Sequence, residues 1–258
     1  MSLRDVVDRL DWPGIEAELG QEGFVVLPGV LDDRQVAELV ALVSAADAIR
    51  QTSLAVEGLG QGERFALPAT SPQPLFELLV DLRQLFYRRL VPVANHWNAL
   101  LEVAQTFPDT LDELMALRAE VKDRPARSSF TRLRVDDYEA LHQCAEQPLA
   151  FPLQLVALLG EPGQDFTGGE FVMTEQRPRM QSRPMVLPLR RGDLAIITVA
   201  RRPHQGSRGY YRVNLKHAIS RVRSGERIGL ELLLDEAIPT RDRQEVDGRQ
   251  RLLFHDAT

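Results

Sequence analysis

The chain holds one cysteine in 258 residues, Cys144, so it cannot form an internal disulfide and cannot build a cysteine-based structural zinc site. It also lacks any run of about 18 apolar residues, which excludes a membrane-spanning helix. Its first residues, Met1 to Arg9, carry acids among the apolar positions and do not form the uninterrupted apolar stretch of a secretory signal. A reducing, cytoplasmic setting without membrane contact is the expectation. There is no internal repeat and no low-complexity segment, which excludes solenoids and collagen-like architectures. Nor is there an overall positive charge: the net charge is −6, which argues against a broad phosphate-binding face.

What the chain does have is 44% hydrophobic and 26% charged residues, enough apolar material for a substantial core. The charges are unevenly spread. Arg177 to Arg227 contains 13 Lys and Arg against Asp193 and Glu226, a local excess of +11, while the remainder sums to −17. Such asymmetry points to anion handling in the second half, or to arginines scattered over solvated strand faces.

The texture changes along the chain. Gly14 to Ala45 reads as helix, strand, helix: Ile15 to Leu19 has helical spacing, Phe24 to Leu27 is short and β-prone, and Asp32 or Asp33 can cap the second helix. From Phe76 to Val103 apolar residues recur at helical spacing through Leu79, Leu82, Leu85, Phe86 and Leu90, with Pro92 expected to interrupt the helix. His96 and Trp97 there read as packed or solvated residues. Beyond about Arg127 come short β-prone runs at Leu153–Leu159, Phe171–Thr174, Met185–Leu189, Leu194–Val199, Tyr210–Leu215 and Ile228–Leu234, separated by Gly-rich turns. This spacing argues for a sandwich or barrel and against alternating βαβ units. The expected fold class is α+β, in one domain: a mainly helical part over 1–126, a β core over 127–238 and a tail over 239–258.

Two of the five histidines stand out. His142 precedes the first long β-prone run, and His217 lies between two later ones. In a rolled-up sheet such residues can converge, and two neutral imidazoles with one carboxylate make the facial site that holds iron(II). Arg227, ten residues after His217, carries a fixed fork suited to the far end of a dicarboxylate.

The order His142-Gln143, Phe166-Thr167-Gly168-Gly169-Glu170-Phe171, Arg191-Gly192-Asp193-Leu194, His217 and Arg227 resembles the His-x-Asp…His…Arg signature of iron(II)/2-oxoglutarate oxygenases. More narrowly, Thr174 to Pro184 and Arg212-Val213-Asn214-Leu215-Lys216-His217 are similar to a bacterial family described as oxygenases acting oxidatively on damaged DNA. The resemblance runs from about Leu10 to Asp235. It implies a double-stranded β-helix, or jelly roll, on an N-terminal helical scaffold. It also implies the cofactors Fe(II) and 2-oxoglutarate, with the keto acid chelating iron and O2 converting it to succinate and an oxidant for a C–H bond. By the same carry-over His142 and His217 ligate the metal, Arg227 holds the distal carboxylate of 2-oxoglutarate, and Asn214 and Arg132 match positions that line the pocket. The implied substrate is a small molecule or a damaged or modified nucleobase, which if in a duplex must be flipped out.

The departure lies at the third ligand, where the family has Asp and this chain reads His142-Gln143-Cys144. Three outcomes stay open: Cys144 ligates as a thiolate; Cys144 is a neutral buried thiol and an external ligand completes the site; or iron affinity is lost and the barrel is a non-catalytic binding protein. Residues 142, 144 and 146 share one face of an extended strand, so Glu146 is a further candidate, but it begins about 6.6 Å along from position 144. A metal enzyme that needs no 2-oxoglutarate is a third class, in which Arg227 has no cofactor role. His204, in Arg201 to Gly206, reads as a solvated loop residue.

Overall fold

The computed structural model of the chain describes residues 2–44, 51–67, 73–119, 127–143 and 150–236. Among them are five helices, α1 (Leu3–Asp8), α2 (Trp12–Glu22), α3 (Asp33–Ser44), α4 (Gln73–Leu100) and α5 (Leu111–Ala119). The strands are β1 (Phe24–Leu27), β2 (Gln51–Ser53), β3 (Gly60–Gln61), β4 (Glu63–Ala66), β5 (Ser129–Leu133), β6 (Tyr138–His142), β7 (Leu153–Leu158) and β8 (Phe166–Gly168). They continue as β9 (Phe171–Gln176), β10 (Arg183–Leu187), β11 (Leu194–Thr198), β12 (Arg201–Gly206), β13 (Gly209–Ile219), β14 (Val222–Gly225) and β15 (Arg227–Leu233).

The helix ends follow local chemistry. Asp32 accepts from the Gln35 amide while Gln35 Oε1 accepts from the Asp32 amide, a reciprocal cap that starts α3. Gly23 ends α2 in the left-handed conformation that favours glycine. One element departs from expectation: α4 runs on through Pro92. Pro92 is solvent-exposed, so the carbonyl that loses its partner one turn earlier can be hydrated, and the flanking Val91, Val93 and Ala94 stay buried.

The strands form a major sheet, β1-β11-β7-β15-β5-β4-β2, and a minor sheet, β10-β9-β13-β6-β3, with β12 pairing β13 and a separate β8–β14 ribbon. Every strand pair is antiparallel. Period-2 alternation then sorts side chains into two cores. Leu153, Leu155 and Ala157 of β7 and Ile228, Leu230 and Leu232 of β15 join the cluster that includes Leu79, Leu82, Phe86 and Leu90 of α4. Val156 and Leu158 pack instead with Phe171, Met173, Val213, Leu215 and Ile219 between the sheets. This is why β7 and β15 are buried along their whole length, on both faces. The four α4 residues, each fully buried, contribute roughly 2 kcal/mol apiece by apolar burial.

Arg201 to Gly206, expected as a loop, is strand β12, paired from Arg201–Asn214 to Gly206–Gly209. His204 sits on it against Tyr211, ring centroids 5.3 Å apart. Among the described residues no helix is long and apolar enough to cross a membrane. Residues 239–258, Cys144 and Glu146 lie outside the described residues.

Candidate active site

The face of β15 that looks between the sheets carries Arg227, Gly229 and Glu231, while Ile228, Leu230 and Leu232 look toward the helices. The opposing wall is β13, whose Val213, Leu215, His217 and Ile219 point inward. His217 is paired in register with His142 of β6, and Ile219 with Glu139, so a bulge places one residue of β13 opposite two of β6. The bulge lets Glu139 and His142, three apart in sequence, reach the same interior.

The two imidazoles lie 4.3 Å apart, centroid to centroid. His217 is wholly buried and stacks on Phe171 at 5.7 Å with ring planes 9° apart. Neither of its ring nitrogens has a hydrogen-bond partner among the described residues. Burial pushes its pKa down to about 4, with the His142 ring adding to the depression, so it is neutral at physiological pH. His142 Nδ1 lies 2.9 Å from the Ala140 carbonyl, which fixes the proton on that nitrogen and leaves Nε2 with its lone pair. Two adjacent imidazoles are two of the three donors of the facial site that holds iron(II).

Two carboxylates accompany them, and neither was singled out from the sequence. Glu139 Oε1 lies 3.7 Å from His142 Nε2, and Glu231 Oε2 lies 4.0 Å from His217 Nε2. Both are buried, and Glu139 Oε2 and Glu231 Oε1 have no partner among the described residues. Burial, reinforced by the Glu231 charge, holds the Glu139 carboxyl well above the usual range, although Arg64 donates to it at 2.8 Å. Glu231 carried a signal, being the one charged residue inside the apolar run Ile228–Leu234; Glu139 carried none. Among the described residues no three His, Cys, Asp or Glu side chains are already drawn together as a metal-holding group.

Arg227 is buried, and its Nε donates to the Gly169 carbonyl at 2.8 Å while Nη1 has no partner. Burial lowers its pKa to about 10, so it remains a cation at neutral pH. It borders a cavity of about 330 Å3 whose walls include Leu158, Phe166, Phe171, Leu187 and Leu189. A single buried cation in an apolar cavity, with Phe171 shared between the cavity and His217, suits a small carboxylate. The two imidazoles thus fit as two ligands of an Fe(II) ion, and Arg227 fits a carboxylate such as that of 2-oxoglutarate.

The other expected pocket residues lie elsewhere. Asn214 is exposed, because an offset of three from His217 puts it on the opposite face of β13. Arg132 points to the helical layer: its Nε donates to Glu63 at 2.6 Å and its guanidinium lies 4.7 Å from the Phe65 ring centroid. The interior position on that side is taken by Arg64, paired with Thr131 across β4 and β5. His96 is exposed and Trp97 buried, beside a separate surface groove of about 950 Å3 that also contains Arg177, Arg183 and His204.

The family model described as an oxygenase catalysing oxidative methylation of damaged DNA matches residues 70–237. The chain belongs to this oxygenase family. It is accordingly an oxygenase, an oxidoreductase by reaction class. Two proteins of Mycobacterium tuberculosis, from strains CDC 1551 and H37Rv and both titled uncharacterized, are each 37% identical over 166 residues, 64% of this chain and 71% of theirs. Among solved structures, a 2OG-Fe(II) oxygenase-family oxidoreductase from Burkholderia pseudomallei superposes with a TM-score of 0.51 at 17% identity, covering 90% of this chain and 95% of that one. A Trichoplax adhaerens prolyl hydroxylase, in complex with a hypoxia inducible factor fragment, gives 0.54 at 10% identity, covering 90% and 89%. The α-ketoglutarate-dependent carbocyclase SnoK of nogalamycin biosynthesis gives 0.54 at 13%, covering 93% and 91%. These likenesses show the shared jelly-roll fold.

Proposed function

We propose that the chain holds Fe(II) with His142 and His217 and binds the distal carboxylate of 2-oxoglutarate at Arg227, oxidising a C–H bond of a small molecule or a modified nucleobase. One observation carries this reading: the buried Arg227, whose Nη1 has no partner among the described residues, borders a largely apolar cavity that shares Phe171 with the unpartnered imidazole of His217. The bound iron and keto acid would supply the O2-dependent oxidant. The chain's own part is to present two imidazoles, anchor one carboxylate with a fixed cation, and line the surroundings with apolar walls that exclude water.

A single base or small metabolite suits the interior better than a long strand. The basic excess between Arg177 and Arg227 is partly consumed by ion pairs within the chain, since Arg177 and Arg202 pair with Glu175 and Arg183 pairs with Glu22. The third metal ligand, expected at Cys144, falls outside the described residues.

The test is an anaerobic titration with iron(II) followed by 2-oxoglutarate, read by the charge-transfer absorption of a chelated keto acid. Appearance of the band, its loss in His217→Ala and a weakened response to 2-oxoglutarate in Arg227→Ala support the reading. Without band or tight iron binding, the protein is a binding module. Unchanged turnover in Arg227→Ala would instead indicate a metal enzyme independent of 2-oxoglutarate.

A further inference from the structure

Glu231 poses an energetic problem that the two histidines share. A carboxylate taken out of water is costly unless hydrogen bonds or a cation compensate it. Glu231 is 5% exposed, yet its Oε1 has no hydrogen-bond partner among the described residues, and the basic nitrogen beside its Oε2 is His217 Nε2 at 4.0 Å. His217 is in the complementary position, wholly buried with both nitrogens unpartnered. A buried carboxylate and a buried imidazole side by side, neither hydrogen-bonded among the described residues, are placed as two ligands for a shared cation.

We propose, resting on the iron-binding reading above, that Glu231 supplies the anionic oxygen ligand of the metal, in place of the aspartate for which this chain carries Cys144. Ligands held at about 2.1 Å in neighbouring octahedral positions stand roughly 3.0 Å apart. Glu231 Oε2 must therefore close on His217 Nε2 by about 1 Å, a shift within reach of a side-chain torsion. The alternation of β15 already aims residue 231 between the sheets, on the same face as Arg227. Glu139, the other interior carboxylate 3.7 Å from His142 Nε2, is the weaker ligand because Arg64 holds its Oε1 at 2.8 Å. A carboxylate from β15 completes a two-nitrogen, one-oxygen set without recruiting the thiol, and it keeps the site hard enough for iron(II).

The experiment is anaerobic calorimetric titration of the full chain with Co(II), with the visible Co(II) spectrum recorded alongside. The proteins are the parent, Glu231→Gln, Glu231→Ala, Cys144→Ala and His217→Ala, each checked for folding by circular dichroism. Glu231→Gln keeps the volume and removes a buried charge, so it is expected to fold at least as well as the parent. The expected result is one Co(II) per chain for the parent and Cys144→Ala, and affinity lowered by roughly 100-fold or more in both Glu231 variants, at or beyond the upper end of what losing a supporting partner costs. Parent-like binding by both Glu231 variants would overturn the proposal. So would loss of binding in Cys144→Ala together with a sulfur-to-cobalt charge-transfer band in the parent, which would assign the position to the thiolate. Failure of the parent itself to bind, or parent-like binding by His217→Ala, would sink the underlying iron-site reading and the proposal with it.

Discussion

A Cβ placed on Gly229 would stand 2.8 Å from Nη1 of Arg227, so the guanidinium lies over a gap in its own strand that only glycine leaves. Gly169 makes the second gap, because a Cβ there would meet Arg227 Cδ at 2.9 Å while its carbonyl accepts from Arg227 Nε. Two glycines therefore set where the cation points. Gly229→Ala is expected to displace the guanidinium and to destabilise the fold by about 1–3 kcal/mol, the usual cost of overpacking. The affinity for 2-oxoglutarate should fall by about tenfold, equivalent to about 1.4 kcal/mol, while Fe(II) affinity stays the same. Sequential anaerobic calorimetry with iron and then 2-oxoglutarate separates the two; an unchanged second step would show that the guanidinium does not contact the cosubstrate.

Arg132 and Asn214 are expected to be dispensable for cofactor binding. Asn214 is exposed and Arg132 is engaged by Glu63 on the helical side of the sheet. Asn214→Ala should leave both stability and 2-oxoglutarate binding within experimental scatter. Arg132→Ala should lower stability by about 1–2 kcal/mol, through the lost ion pair with half-buried Glu63 and the lost contact with Phe65, at unchanged 2-oxoglutarate affinity. Denaturant midpoints and cosubstrate titration of the two variants decide it.

These two residues show where sequence reading succeeds and where it stops. The six β-prone runs reappear as β7, β9, β10, β11, β13 and β15, because an apolar run bounded by Gly and Pro leaves the chain few other ways to bury itself. Facing is a finer property. The odd offset between Asn214 and His217 already assigns them to opposite faces of one strand, so that placement was legible from period 2 alone. Arg132 is harder: its facing depends on the pairing of β5 with β15 and β4, which no local pattern in Phe130 to Arg134 states. Glu139 reaches the interior only through the bulge in the β6–β13 pairing, a long-range irregularity with no local signature. Glu231 was visible as a charge within an apolar strand, and a buried charge of that kind is a candidate functional residue on physical grounds.

Pro92 lies inside α4 on its solvent face, where it donates no hydrogen bond and is not part of the core. Replacing it by Ala restores the intrahelical bond to the carbonyl of Arg88 and relieves the ring's clash with that turn. Pro92→Ala is therefore expected to stabilise the fold, by an amount below the roughly 3 kcal/mol that separates Pro from Ala in an unkinked helix. Thermal denaturation with and without the substitution measures it. A loss of stability would mean that the backbone geometry Pro92 imposes is needed to seat Trp97 and Val93, both of which are buried just beyond it.

Glu175 and Arg202 form a buried pair on the minor sheet, 1% and 0% exposed, with Arg177 donating to the same carboxylate at 2.7 Å. Burial alone would raise the Glu175 pKa, but the hydrogen bonds and charges of Arg177 and Arg202 outweigh it and hold the carboxyl below its ordinary value of 4.5. A carboxyl depressed in the folded state binds fewer protons there than in the unfolded chain. Its contribution is thus fully present above about pH 4.5 and is lost as pH falls through the depressed folded value. Glu175→Gln is expected to cost roughly 2–4 kcal/mol at pH 7, because Arg202 keeps its charge and its bonds to the Gly20, Gln21 and Pro203 carbonyls but loses its counter-ion. The difference between parent and variant should shrink as pH is lowered below about 4.5, since acid neutralises the same carboxyl in the parent. Urea unfolding of both proteins between pH 7 and pH 3 gives the two curves. A gap that stays constant across that range would mean the glutamate acts through its shape and hydrogen bonds, and that its charge contributes nothing to the fold.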